Sequence, residues 1–392
     1  MTLPGQLNPP PRLLLGPGPS DAHPRVLSAM ATPLLGHLDP AYLEIMQETQ
    51  ELLRAAYRTK NTLTLPMSAT GMAGMETCFV NLVEPGDKAV VCAKGFFGQR
   101  MIDVAGRAGA QVTVLEQPWG DVFDLNRIRD TLKQVRPKVL AIVQAETSTG
   151  AWQPLEGLGK LCHEFDTLLL VDAVTSLGCV PVLVDEWELD AVYSCSQKGL
   201  GCPPGLSPVT LSSRAEAAMS KRKTKVQSWY LDLTMIRQYW GSDRAYHHTA
   251  PITMTYALRE GLRLVHEEGL DARWNRHVRN HKALKAGLTA LGLRYSAREG
   301  HQLPQLNAVY VQGGVDDLTV RKRLLNEFGI EIGGGLGDFK GKVWRIGLMG
   351  YNSKPSAVYT VLAALEQCLH GVGAKVTAGA GVGAAEQAYA GG

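Results

Sequence analysis

The chain has 392 residues, of which 45% are hydrophobic and 20% charged, with a formal net charge of +3. That length exceeds what one hydrophobic core usually serves, so two domains are expected, and the composition is that of an ordinary soluble globular protein. A charge balance this close to neutral argues against a dedicated nucleic-acid binder, and no apolar run approaches the roughly 18 residues of a membrane span.

Residues 1–20 read as an N-terminal arm, because Leu13-Leu14-Leu15-Gly16-Pro17-Gly18-Pro19-Ser20 is too rich in proline and glycine for a helix or a central strand. The opening residues also lack the basic start and long apolar stretch of a signal peptide. From Tyr42 to Tyr57 the apolar positions recur at helical spacing. Asn61 to Met67 then reads as a strand, Ser68-Ala69-Thr70-Gly71 as a small-residue turn, and Met72 to Val83 as an amphipathic helix. Strand, small-residue turn and helix N-terminus make an anion site, since free backbone N–H groups and the helix dipole converge there.

Strands at Lys88–Cys92 and Gln111–Leu115 flank a helix that begins near Phe96-Phe97, where an aromatic ring can offer its face to a flat ligand. Asp124 to Val135 is helical, and Lys138 to Gln144 is a buried strand running into Glu146-Thr147-Ser148-Thr149-Gly150. Another helix covers Gly157 to Phe165. Leu168-Leu169-Leu170-Val171-Asp172 is an apolar run typical of a parallel strand covered on both faces. It ends in a carboxylate, and a charge so placed needs a partner. The next strand, Asp190–Ser194, leads to Gln197-Lys198-Gly199. The carboxyl ends of such strands are where ligands sit, so the Lys198 amine is placed to lose its proton and condense with an aldehyde. Taken alone, it reads more readily as a surface lysine with its stem on apolar ground.

Strands alternating with helices from about residue 61 to residue 210 predict an α/β fold with a large, doubly wound, mostly parallel sheet. The run Lys221-Arg222-Lys223-Thr224-Lys225 reads as a solvated face, with no aromatic ladder beside it. Beyond Trp229, two helical stripes (Met254–Val265 and Trp274–Leu291) precede three short strands and two helices, a smaller α+β domain. The boundaries are thus 21–252 for the large domain and 253–370 for the small one, with 371–392 a Gly/Ala-rich tail expected to be disordered. The seven cysteines are scattered and form no C-x-x-C pair, which predicts reduced thiols and a cytoplasmic setting.

Neither G-x-G-x-x-G nor G-x-x-x-x-G-K-[ST] occurs, so dinucleotide and P-loop readings lose their main support. His247-His248 has no further ligand at metal spacing, and no metal is expected. What remains is a lysine, a strand-end aspartate, a phosphate-type turn and an aromatic, all at carboxyl ends of strands. Pyridoxal 5'-phosphate needs that set: a helix N-terminus for phosphate, an aromatic face for the ring, a carboxylate for the pyridine nitrogen and an amine for the aldehyde.

The motifs LLLGPGPS (13–20), SATGMAGME (68–76), GFFGQR (95–100), AETSTG (145–150), LLLVDAVTSLG (168–178), YSCSQKGL (193–200), YHHTAP (246–251), GGGLG (333–337) and WRIGLMG (344–350) stand in one order. Together they resemble the class V aminotransferases of pyridoxal-phosphate fold type I, and within them the alanine–glyoxylate and serine–glyoxylate aminotransferases. The resemblance implies that Lys198 is the Schiff-base lysine and Asp172 the partner of the pyridine nitrogen. It implies Thr70, Gly71, Met72 and Gln197 as phosphate-cup residues, Phe97 as the stacking aromatic and Thr147 as the hydroxyl near the ring's phenolic oxygen. Relatives often carry serine where Thr70 stands and histidine where Met72 stands, so backbone contacts to phosphate are the firmer expectation there.

Arg345 resembles the arginine that clamps the substrate carboxylate; it also ends a Val-Trp-Arg run among apolar neighbours, where a guanidinium needs an anion. Tyr246 and Thr249 resemble residues that reach the phosphate of a neighbouring subunit, implying a homodimer with shared sites. The implied reaction moves an amino group between alanine or serine and glyoxylate or pyruvate, with ping-pong kinetics. A related class V desulfurase, lyase or epimerase, or a non-catalytic structural subunit, are the alternatives.

Overall fold

The computed structural model describes every residue except Thr2 and Gly392, the second residue of the expected arm and the last of the expected tail. Its centre is a seven-stranded sheet, in the order Leu63–Met67, Ser207–Leu211, Ala191–Tyr193, Leu168–Asp172, Val139–Val143, Lys88–Ala93 and Gln111–Glu116. Only Ser207–Leu211 runs antiparallel to its neighbours, and its sequence did not announce it as a strand. Pro208 is the reason, since proline breaks a ladder in a central strand. The fold accommodates it by setting Pro208 opposite Pro66, one residue before the ladder with Ala191–Tyr193 begins.

Helices cover both faces of the sheet. Their starts follow local chemistry: Asp39 accepts from Ala41 N at 2.8 Å with Pro40 in the first turn, and Asp124 accepts from Arg127 N at 3.0 Å. Val90, Cys92, Leu140, Ile142, Leu169, Val171 and Val192 are fully buried on one face. Their sequence neighbours Val91, Ala141, Leu170 and Tyr193 are buried on the other, the two-sided burial that made these strands read as continuous apolar runs.

A second core is built from the three-stranded antiparallel sheet of Leu306–Tyr310, Val343–Gly347 and Gly333–Gly334, with helices Leu270–Ala290, Asp317–Phe328 and Pro355–Gly371. Three of the sequence-derived boundaries shift. Helix Ile252–Glu268 packs Ala257, Leu258, Leu262 and Val265 into the core of the large sheet, so the chain changes core near Gly269 rather than at residue 253. Residues Ala380–Ala390 form a helix instead of a disordered tail. Its small residues lie close on helix Leu270–Ala290: a side chain on Gly287 would stand 2.7 Å from the Gly381 carbonyl oxygen, and Ala385 is buried. Poor apolar bulk in the sequence hid a helix whose contact is backbone to backbone. Finally, only residues 3–12 of the arm are uniformly exposed. Leu13–Leu14 pairs in parallel with Ile330–Glu331, and Leu15 is fully buried in the second core.

Candidate active site

The strand ends bring Asp172, Tyr193 and the Lys198 loop to one edge of the large sheet. Asp172 is 3% exposed and is the register partner of Tyr193. Its carboxylate accepts from Tyr193 Oη at 2.7 Å and from Val174 N at 2.8 Å. Burial pushes its pKa up to about 7 despite those bonds. No cation pairs with it among the described residues, so the site presents a desolvated carboxylate that lacks a positive N–H donor.

Lys198 is 9% exposed, and burial lowers its pKa, with the Arg345 charge acting in the same direction. Its amine donates to the Pro17 carbonyl. The loop around it is fastened from several sides. Ser20 Oγ donates to the Lys198 carbonyl at 2.9 Å, Ser20 N to the Gln197 carbonyl at 2.9 Å, and buried Arg273 donates to the Gly199 carbonyl at 2.7 Å.

The anion turn lies beside this loop. Thr70 is the N-cap of helix Gly71–Leu82, yet its hydroxyl makes no capping bond, leaving first-turn N–H groups to a ligand. Gly71 is required by packing: a Cβ there would stand 3.0 Å from Cys195 Cβ and 3.2 Å from Val174 Cγ2. Met72 is half-buried, with its sulfur 3.5 Å from an Arg100 nitrogen. Gln197 Oε1 is buried without a hydrogen-bond partner.

Residues 146–148 join three further parts of the site. Glu146 accepts from Phe97 N at 3.4 Å and Gly98 N at 3.3 Å, and Ser148 Oγ accepts from Phe96 N at 2.9 Å. A remote segment thus caps the helix that carries Phe97. Between them, Thr147 Oγ1 lies 2.6 Å from Thr175 Oγ1, and the Thr147 carbonyl accepts from Arg345 Nη1 at 3.4 Å. Arg345 itself is 6% exposed and donates through Nε to the Gly334 carbonyl at 2.8 Å. Burial lowers its pKa to about 10. Among the described residues no carboxylate pairs with it, unlike the neighbouring Arg321, which holds Asp317 at 2.7 Å. A buried guanidinium with only carbonyl acceptors leaves room for an anion.

Tyr246 and Thr249 are not brought into this cluster. Both are exposed, Tyr246 by 61%. Their segment is tied to the rim of the anion turn by His248 Nε2, 2.6 Å from Ser68 Oγ. Burial and the neighbouring His247 lower the His248 pKa to about 4, which keeps its ring neutral.

Several contributors were not singled out from sequence: Tyr193, Thr175, Glu146, Ser148, Pro17 and Ser20. All six lie inside the quoted motifs, but their partners are about 20 to 180 residues away, so no local pattern marks them.

These groups fit pyridoxal phosphate. Asp172 lacks the cationic N–H that a pyridinium supplies, the first-turn N–H groups of helix Gly71–Leu82 face no capping side chain, and the Lys198 amine is desolvated. Fold and site together define a pyridoxal-phosphate enzyme of fold type I. The chain belongs to the class V aminotransferase family (Aminotransferase class-V), which its residues 19–354 match. It is 41% identical to the (S)-ureidoglycine–glyoxylate transaminase of Bacillus subtilis, over 97% of this chain and 96% of that one. It is 40% identical to the alanine–glyoxylate aminotransferase of Mus musculus, over 93% of this chain and 89% of that one. The crystal structure of alanine–glyoxylate aminotransferase from Nostoc sp. superposes with a TM-score of 0.93 at 54% identity, covering 94% of this chain and 98% of that one. The protein is therefore a pyridoxal-phosphate-dependent aminotransferase.

Proposed function

We propose that the substrates are a small L-amino acid, alanine or serine, and glyoxylate or pyruvate as amino acceptor. The observation that carries this reading is Arg345, a buried guanidinium paired with no carboxylate among the described residues and near enough to the Lys198 amine for its charge to lower that amine's pKa. Glyoxylate appears in the names of both the ureidoglycine and the alanine relatives, which supports it as acceptor. A screen of alanine, serine and (S)-ureidoglycine against glyoxylate and pyruvate, followed by the absorbance of the cofactor, tests it. Turnover confined to ureidoglycine would sink the small-donor reading.

In this scheme the bound cofactor supplies an aldehyde for an amine and a ring that takes up the electron pair left when a Cα proton departs. Arg345 holds the substrate carboxylate through its planar fork. Lys198, its pKa lowered by burial, is the base that would take a proton from Cα and return it one position away. Asp172 keeps a proton on the pyridine nitrogen, and the Tyr193 hydroxyl fixes the orientation of its carboxylate. Phe97 would hold the ring by stacking, and Thr147 would hold it at its phenolic oxygen. Thr70, Gly71, Met72 and Gln197 hold the phosphate.

A cysteine desulfurase is disfavoured by the thiols: all seven are unpaired and buried. Cys195, three residues from Lys198, has its pKa pushed up to about 12 by burial. The same seven reduced thiols support a cytoplasmic setting.

Arg345→Ala is expected to raise KM for amino acid and oxo acid alike, by roughly 10- to 100-fold, the worth of a charge-assisted hydrogen-bonded pair. Amines without a carboxylate should lose far less. Steady-state kinetics on the two substrate types decides it, and equal losses would make Arg345 structural.

We further propose a homodimer in which Tyr246 and Thr249 enter the partner's phosphate cup. Support comes from their exposure and from the exposed Trp229 and Tyr230 beside the anion turn. Mixing Lys198→Ala subunits with Tyr246→Phe/Thr249→Ala subunits should restore activity, because a heterodimer then carries one site with every lesion and one with none. Verified subunit exchange with no regained activity would refute the shared site.

A further inference from the structure

The N-terminal segment enters the site in a way that bears on substrate size. On one side, Pro17 gives its carbonyl to the Lys198 amine. Gly18 follows at φ +113°, and a Cβ there would stand 2.5 Å from Lys198 Cδ and Cε and 2.7 Å from Nζ. The backbone therefore lies flat against the end of the lysine. On the other side, a Cβ on Gly333 would collide with Pro17 Cδ while standing 3.6 Å from Arg345 Nη2. The Pro17 ring thus rests on the glycine next to the guanidinium.

The segment is also fixed at both ends. Gly347 N donates to the Leu15 carbonyl at 2.8 Å, and Ser20 is bonded to the Gln197 and Lys198 carbonyls at 2.9 Å each. An α-amino acid carries its carboxylate and its nitrogen on one carbon. With the carboxylate on Arg345 and the Cα proton toward Lys198, that carbon lies in the gap that Pro17 and Gly18 border from end to end.

We propose that Gly16-Pro17-Gly18 is the wall that limits the substrate side chain, with the Pro17 ring as the specificity-determining element. This rests on the reading of a small amino-acid donor made above. A hydrogen, methyl or hydroxymethyl group clears the ring. A longer chain must push aside a segment anchored on both flanks, and packed surroundings yield little.

The test compares kcat/KM for alanine, 2-aminobutyrate and norvaline in the cofactor-loaded wild type, Pro17→Ala and Gly333→Ala. One methylene against a tight pocket is worth roughly 10- to 200-fold, so the wild type should lose at least about 10-fold between 2-aminobutyrate, whose ethyl group matches the hydroxymethyl of serine in size, and norvaline. Pro17→Ala, which removes the ring, should raise the norvaline-to-alanine ratio by about 10-fold or more. Gly333→Ala, whose methyl presses on the ring, should lower that ratio. A second readout needs no turnover: titration with acetate, propionate, butyrate and valerate, followed by the cofactor absorbance. Affinity should fall beyond butyrate in the wild type and level out in Pro17→Ala. Unchanged ratios and an unchanged acid series in both variants, with a wild-type cofactor spectrum, overturn the wall. If Pro17→Ala does not fold, Gly333→Ala decides alone. If no amino acid is turned over, it is the donor reading that fails, and the acid series still decides the wall.

Discussion

Replacing Lys198 by alanine is expected to abolish transamination and to leave the fold standing. The side chain carries no ion pair, and its amine donates only to the Pro17 carbonyl, so removing it strands no buried charge. Removal also lifts the cost of keeping an amine out of water, the force that lowers its pKa in the native protein. The loop keeps its shape through Ser20 and Arg273, which bond to carbonyls that alanine retains. Chemistry has no such reserve. A positioned general base is worth roughly 10² to 10⁴ in rate, and the same amine is the nucleophile toward the aldehyde. A loss of at least about 10³ in kcat is expected, with far-UV circular dichroism unchanged. Near-normal turnover would remove Lys198 from the centre of the site.

Asp172→Asn should keep the shape of the pocket and lose about 3 kcal/mol or more of transition-state stabilisation, the contribution of one preorganised electrostatic partner. An amide cannot hold a proton on the pyridine nitrogen, whereas Tyr193 and Val174 can still bond to it in place. The substitution has a second signature in cofactor-free protein. There the Asp172 pKa stands at about 7, above its ordinary 3.8, because burial disfavours the charge. A raised carboxylate pKa favours the folded state fully below about pH 4 and loses that advantage as pH climbs to 7, at about 1.4 kcal/mol for each pH unit between the two values. Urea unfolding at pH 4.5 and 7.5 should therefore show the apo wild type falling by a few kcal/mol relative to Asp172→Asn. Parallel pH profiles, or an unchanged kcat in the loaded variant, would refute this role.

How much of this was legible in the sequence depended on distance along the chain. Leu168–Asp172 was readable because a strand covered on both faces is continuously apolar, and its terminal carboxylate stood out against that run. The helix Gly71–Leu82 was readable from its small-residue turn. Tyr193 was not, since a tyrosine ending a buried strand reads as core until its partnership with Asp172 on the adjacent strand is seen. Glu146 was hidden for the same reason: it caps a helix that begins about fifty residues earlier. The helix Ala380–Ala390 escaped because glycine and alanine signal disorder by composition, while their smallness is what lets two backbones meet. Helix Ile252–Glu268 had a clear stripe, but a stripe does not say which core it faces.

The partnership of Leu13–Leu15 with residues 330–347 has a consequence for how the molecule is made. Leu13–Leu15 leave the ribosome long before the residues they pair with, and wait for them. At roughly 5–20 residues per second, the interval between them is some tens of seconds. Throughout it the large sheet can form and the lysine loop can close on its own carbonyls, yet Pro17 has no Gly333 to rest on and Leu15 no core to enter. A nascent chain therefore exposes its future reactive amine on an unroofed ledge. The pocket acquires its final wall only after residues 333–347 have been made.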